Sequence, residues 1–493
     1  MGRHASRKAR TPPSSTVHSL DLASTLPSNV RLSTPGALPH LLLLKVSRLF
    51  LFLSIFSVVL GYPEREAVSF RVTTEFSLIA LLIHWAWRDQ ESSLDVRVAK
   101  LVRHPLFLTA TAFVFFFVLS SFFAYDTHVS FWSGYMRNEG AFQMLHYYLF
   151  FVLCSLLLAT ENDWKWMLRA SLGAAVLVVL YGVAAAVPVP GFLWIEGIPA
   201  EFGFWKRLVT SGYRFQGSLG NASPAGSYLM FSILYALYLW VRVPRPTAWR
   251  TILGYSTVVL FLLAFLFLTG TRAGLFGLLA ALAGLALFVI LRSGRARRSV
   301  VVVLCAVAVV AFVVLWIRIR ATGVSGSRIL SFSLGESEVR VRLWAWKAAW
   351  KGFLERPLLG WGPDNFAAVI DKYADARLFT SGTNLQNQWW DRAHSVLFDY
   401  LAENGIITFL AYCSIPITFY ATLWRKARSG AKTSGRTTSL NVALRQGLLF
   451  ATPIGYLTQG LVTFDVSPIY ICYFTFVAFA LYTLVNGSSH ETE

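Results

Sequence analysis

The chain has 493 residues, of which 55% are hydrophobic and only 14% charged, with a mean hydropathy of +0.55. Its apolar runs repeatedly approach the ~20 residues needed to cross a bilayer, which excludes an ordinary soluble or disordered chain and predicts an all-α polytopic membrane protein. The formal net charge of +19 reads as a topology signal and as contact with anionic membrane lipids of the inner leaflet, so nucleic acid need not be invoked.

In chain order, residues 1–43, rich in Arg, Pro, Ser and Thr, predict a disordered basic cytoplasmic N-terminus. No small-residue cleavage site follows the first apolar run, which is therefore expected to act as a retained signal anchor. Twelve spans are expected, near 44–62, 72–87, 106–124, 142–159, 166–188, 222–241, 251–269, 273–291, 299–317, 396–424, 445–463 and 467–485. The 72–87 span is short and contains Glu75. Helices 1–9 then occupy 44–317, a large outer loop fills 318–393 between helices 9 and 10, helices 10–12 lie within 394–485, and 486–493 is a short cytoplasmic tail. With the N-terminus inside, the inner segments and adjoining helix ends hold 26 of the 44 Lys and Arg residues. The short outer loops hold 7 and the long loop 11, so the positive-inside rule supports this orientation. Cys154, Cys305, Cys413 and Cys472 fall within expected spans with no metal-ligand spacing and read as small core residues. No nucleotide fingerprint, long repeat or cytosolic domain is present to suggest an ATP-driven pump.

The inner loops are short and basic, so specific chemistry is expected on the outer face. The loop FWSGYMRNEGAF, 131–142, sets aromatics around Arg137 and Glu139; Trp132 and Tyr135 need be no more than interfacial anchors. In 206–229, Arg214 precedes a Gly-Ser-Leu-Gly-Asn turn that leads into a helix, whose first amides and dipole would favour an anion. The hairpin FLTGTRAGLFG, 267–277, is so short that Arg272 must sit at the outer membrane edge, either snorkelling to headgroups or facing a cavity. Within the long loop, Val339, Leu343, Trp346, Trp350 and Phe353 form an apolar helical stripe, with Arg340, Lys347 and Lys351 away from it and Pro357 ending the helix. This helix is expected to lie along the membrane surface or to cap the bundle, and Arg342 borders its stripe.

In DRAHSVLFDYLAENGIITFLAY, 391–412, a polar segment runs into a membrane helix at a lone histidine. His394, Leu401, Gly405 and Thr408 fall near multiples of 3.6, which predicts one helical face with an imidazole at its top and a neighbouring helix packed close beneath. An ionisable group at that depth is a functional-site hypothesis; the bland alternative is a satisfied interfacial histidine. Outer arginines plus one histidine suit a phosphorylated substrate. Guanidinium binds phosphate oxygens bidentately, histidine exchanges a proton near neutral pH, and a diphosphate leaving group held by arginines requires no metal.

These residues resemble the O-antigen ligase superfamily, which includes O-antigen ligases, polysaccharide polymerases and protein O-oligosaccharyltransferases. Its signature is His, then Asn, Ser or Gln, nine residues, Gly, two residues, then Gly, Thr or Tyr; His394, Ser395, Gly405 and Thr408 fit it. TGTRAG with Arg272, the Arg342 to Trp346 spacing followed by PLLGWG, and Arg214 with the Gly-Asn turn after it are similar to further family motifs. The resemblance covers roughly 130–465. Ser395 stands where Asn is commoner, and Asn221-Ala222-Ser223 where Asn-Pro-Asn is frequent.

The resemblance implies a twelve-helix glycosyltransferase of the GT-C type, without metal or cofactor, in the cytoplasmic (inner) membrane with its active site on the periplasmic or extracytoplasmic face. It would move a glycan from a polyprenyl diphosphate carrier to an acceptor hydroxyl, with His394 as general base, Arg272 and Arg342 holding the diphosphate, and Arg214 assisting. Arg137 is added to the diphosphate set here on its own position, and Asp465, in the turn FDVSP, is a candidate to orient His394 or pair with an arginine. The acceptor could be lipid A core, a second glycan or a protein. A transporter or flippase of an anionic substrate is the alternative from another class, although no paired, broken helices in two similar halves are visible.

Overall fold

The computed structural model describes residues 37–61, 63–87, 93–134, 137–186, 214–243, 249–292, 337–377, 390–433 and 440–486. All regular structure among them is helical. In chain order the helices are α1 (Ala37–Ile55), α2 (Pro63–Ala86), α3 (Ser93–Leu101), α4 (Pro105–Phe122), α5 (Thr127–Trp132), α6 (Ala141–Leu157), α7 (Glu161–Ala185) and α8 (Ala222–Val241). They continue with α9 (Trp249–Leu268), α10 (Arg272–Arg292), α11 (Ser337–Glu355), α12 (Phe366–Tyr373), α13 (Val396–Asp399), α14 (Gly405–Thr433), α15 (Leu440–Gly460) and α16 (Ser467–Asn486).

Nine of the described helices are long and apolar enough to cross a membrane, so the chain is a polytopic membrane protein. The shorter apolar helix α6 fills the place of the expected 142–159 span, and α15, with Arg445 and Gln446 in its first turns, that of 445–463. The expected span 299–317 lies outside the described residues, as do the first 36 residues, Cys305 and much of the long loop. The second span needs a corrected boundary. Its helix starts at Pro63, well before the expected 72, because the apolar count broke at Glu64, Glu66 and Arg71 although Glu66 is buried at 4% exposure.

Local sequence sets the helix starts. Pro105 occupies the first position of α4 behind His104, whose Nδ1 accepts from Leu106 N, and Thr160 with Asp163 forms a reciprocal capping box on α7. The central helices are α8 and α16, both buried almost all round, whereas α9 is largely exposed at the periphery. Close approach around them depends on glycine. A Cβ on Gly274 of α10 would sit 2.7 Å from the Gly226 backbone of α8, and one on Gly277 would sit 2.8 Å from Gly455 O of α15. Without a water-driven hydrophobic effect inside a bilayer, such small-residue contact is a main source of helix association.

Candidate active site

The α9–α10 turn positions two of the predicted arginines. Gly270, at φ +59°, closes the turn; Arg214 wraps it, donating from Nε to Thr269 O at 2.8 Å and from Nη2 to Thr271 Oγ1 at 3.1 Å. Thr271 Oγ1 in turn donates to Ala222 O at 2.8 Å, tying the start of α10 to the start of α8. Two helix N-termini thereby converge, and their dipoles add to the positive potential of Arg214 and of Arg272, the first residue of α10.

Across from them α11 brings Arg342. Arg214, Arg272 and Arg342 together line one cavity of about 290 Å³, whose other walls include Phe276, Leu343 and Trp346. The expected amphipathic helix is present, and the structure adds which face packs on the protein. Its protein-facing stripe is Val341, Ala345, Ala348, Ala349 and Gly352, and Leu343 and Trp350 of the expected apolar stripe are about half exposed. Small residues mark the packed face because they admit close neighbours; a Cβ on Gly352 would lie 2.6 Å from Val369. The large apolar residues face the cavity and the surroundings of the bundle.

Trp346 joins this wall to the histidine. Its Nε1 donates to Ala393 O at 3.0 Å and its ring stacks on Phe398 at 5.2 Å. His394 itself lies ahead of the helix at φ +58°, a conformation uncommon for a non-glycine residue and one that local structure must enforce. Its ring is held between Trp390 (5.0 Å) and Phe464 (5.1 Å), and its Nδ1 lies 3.1 Å from Arg392 O. A carbonyl only accepts, so the tautomer that satisfies this contact carries the proton on Nδ1 and leaves Nε2 as a base. Burial first, and Arg342 and Arg137 with it, push the imidazole down to about 4 against the raising effect of the Arg392 carbonyl, so it is neutral at physiological pH.

The expected continuous helical face from His394 to Thr408 does not form. A π-helical turn at Tyr400–Asn404 follows α13, and Gly405 breaks the path at φ +71°. The helix that packs against the histidine segment is α11, whose Val341, Ala345, Ala348 and Ala349 share a buried cluster with Ala393 and Ala402, and backbone of the PLLGWG stretch packs there beside it. Trp361 N donates to Ala402 O at 3.0 Å, Gly362 N to Glu403 O at 2.6 Å and Ile406 N to Pro357 O at 2.8 Å, and a Cβ on Gly405 would meet Leu358 O at 2.3 Å. The glycines of two separate motifs are thus required by one interlock.

Sequence reasoning missed the hub that holds the histidine loop. Arg392, 7% exposed, pairs through Nη1 with Glu403 at 2.6 Å and through Nη2 with Glu139 at 3.0 Å and with Asp364. Burial disfavours its charge, but these carboxylates outweigh that and hold the guanidinium charged. Asp399 Oδ1 accepts Ala393 N at 2.6 Å, clamping the residue before His394. Burial raises Glu139 to about 8 although Arg392 and Arg137 oppose it. A signal was available: Asp399 and Glu403 are two carboxylates four residues apart inside an expected membrane span.

Arg137 is not among the residues that line the arginine cavity. It makes a bidentate pair with Asp391 (2.6 and 3.0 Å) and lies over the Phe464 ring at 4.9 Å, so it braces the histidine loop from the other side. Burial favours the neutral form of Asp391, but Arg137 holds it below the ordinary carboxylate range. Among the described residues Asp465 makes no hydrogen bond or ion pair to His394 or an arginine; it accepts from Tyr456 Oη at 2.5 Å, and burial raises it to about 7. The group that orients the imidazole is the backbone carbonyl of Arg392. Among the described residues no group of three or more His, Cys, Asp or Glu is arranged to hold a metal ion.

Residues 257–413 match the family model described as O-antigen ligase. The match includes Arg272, Arg342, Arg392 and His394 and leaves Arg137, Arg214 and Asp465 outside it. No curated protein matches the chain.

Proposed function

Since the chain belongs to the O-antigen ligase superfamily, a group of glycosyltransferase-like ligases and polymerases, we propose that it transfers a glycan from a polyprenyl diphosphate carrier to an acceptor hydroxyl at the outer face of the membrane. One observation carries the reading: three arginines from three separate segments line a single half-apolar cavity whose Trp346 wall is bonded to the residue before a neutral histidine.

In this mechanism the diphosphate sits between Arg214, Arg272 and Arg342 and the polyprenyl chain runs along the apolar wall. His394 Nε2 removes the proton from the acceptor hydroxyl as its oxygen attacks the anomeric carbon. The bond from that carbon to the diphosphate oxygen breaks, and the arginines meet the charge that develops on the leaving group. Fixed cations of this kind act without reorganising, and a positioned base contributes about 10² to 10⁴ in rate. Nδ1, engaged with the Arg392 carbonyl, keeps the imidazole turned as the proton arrives, and the imidazolium that forms lies near Asp391.

Lipid A core is the acceptor we favour; a second lipid-linked glycan or a protein hydroxyl would use the same steps. The test is transfer by purified protein in nanodiscs from a polyprenyl diphosphate-linked oligosaccharide to each acceptor class, comparing wild type with His394→Ala. Transfer by the wild type and none by a variant that still binds donor supports the base assignment. Donor carried across the bilayer at equal rates by both proteins, with no acceptor glycosylated, would replace it with transport.

A further inference from the structure

A second cavity lies at the end of the bundle opposite the arginine cavity, where α8, α14 and α16 finish and α7 and α15 begin. Its volume is about 140 Å³, and Arg242, Lys426, Arg445 and Glu161 line it together with apolar groups such as Leu449 and Phe479. Among the described residues three cations and one carboxylate line it, and that carboxylate is shared, since Glu161 pairs with both Arg242 and Lys165. Arg242 is no loose surface arginine: its side chain is 8% exposed and lies 5.7 Å from the Tyr238 ring. Burial, and Arg445 beside it, push its guanidinium down to about 10, so it remains charged while the two guanidinium groups repel. Lys426 Nζ is held on the opposite wall by Thr483 O (3.1 Å) and Leu484 O (3.2 Å) at the end of α16.

Gathering like charges in a partly buried cleft is unfavourable unless an anion joins them, and two guanidinium groups with an ammonium suit phosphoryl oxygens. The apolar groups beside them suit an acyl chain. We propose that this cleft binds a phosphoryl anion, the headgroup of an anionic phospholipid of the inner leaflet, at a site separate from the transfer chemistry.

Native mass spectrometry of the purified full-length protein under stepwise delipidation tests it, with phosphatidylglycerol, phosphatidylcholine or inorganic phosphate supplied in turn. The wild type should retain phosphatidylglycerol preferentially, the Arg242→Gln/Arg445→Gln variant should retain about 10-fold or more less, and Arg103→Gln, at an exposed basic position outside the cleft, should match wild type. Binding of inorganic phosphate to delipidated wild type, lost in the double variant, would support the site with a soluble source. Equal retention of phosphatidylcholine and phosphatidylglycerol by wild type, a comparison that needs no variant to fold, would overturn it. So would unchanged retention of both anions in the double variant.

Discussion

Replacing Arg392 by methionine removes a cation paired with three carboxylates that are each 4–6% exposed in their side chains. Deleting one partner of a buried ion pair costs about 3–5 kcal/mol, a large share of the ~5–15 kcal/mol by which folded domains are stable. The pH dependence makes the test specific. Glu139 is raised from its ordinary 4.5 to about 8, so the folded protein binds a proton that the unfolded chain releases. Its contribution is fully present below 4.5 and is lost as pH rises through 8. Arg392 pulls Glu139 downward, so without it the folded value climbs further and the loss continues above pH 8. The stability deficit of Arg392→Met should therefore widen between pH 7 and pH 9, by about 1.4 kcal/mol per pH unit over the extended window. Tryptophan-fluorescence melting in detergent at the two pH values measures it, with transfer activity read alongside. A deficit that is absent, or equal at both pH values, would refute the hub.

If His394 is the base, the acid limb of kcat/KM, which reports free enzyme, should fall near pH 4, and that of kcat should lie higher because bound diphosphate offsets Arg342; limbs at 6.5 in both profiles would remove His394 from the role. Gly405→Ala forces a Cβ to 2.3 Å from Leu358 O at φ +71° and should lower the melting temperature and abolish transfer together, whereas Gly254→Ala, which meets nothing within 4 Å, should leave both unchanged. Arg272→Lys keeps the charge and loses the planar fork, so transfer should drop about 10-fold or more with the melting temperature unmoved; full activity would show that charge alone suffices at that position.

Much of the fold is legible in the sequence because spanning a bilayer demands long apolar helices, and Arg272 stands out because its short apolar hairpin leaves it nowhere else to go. Arg214, Arg272 and Arg342, read from three separate motifs, line one cavity. Arg392 escaped notice because a charge beside a histidine in a polar loop looks solvated, and because one of its partners, Glu139, lies 253 residues away. The protein-facing side of α11 was not legible because its small residues, and not its large apolar stripe, mark the packed face. Asp465 looked like an outer-turn carboxylate, yet the same turn folds it inward onto Tyr456.

The interlock of the PLLGWG backbone with residues 402–406 reaches one element further, since Asn365 Nδ2 donates to Ser130 Oγ at 2.7 Å and its Oδ1 accepts from Asp126 N at 3.1 Å. This support of the histidine segment is therefore fastened to the bundle at both ends. The amides of Trp361, Gly362 and Ile406 should exchange with deuterium only when the bundle itself opens. If the chain transfers a glycan from a carrier lipid as proposed, a segment that cannot lift would leave lateral passage as the carrier's way in and out. Donors would then be sorted by the diphosphate and the first stretch of polyprenol, with long and short sugar chains passing under the same selection.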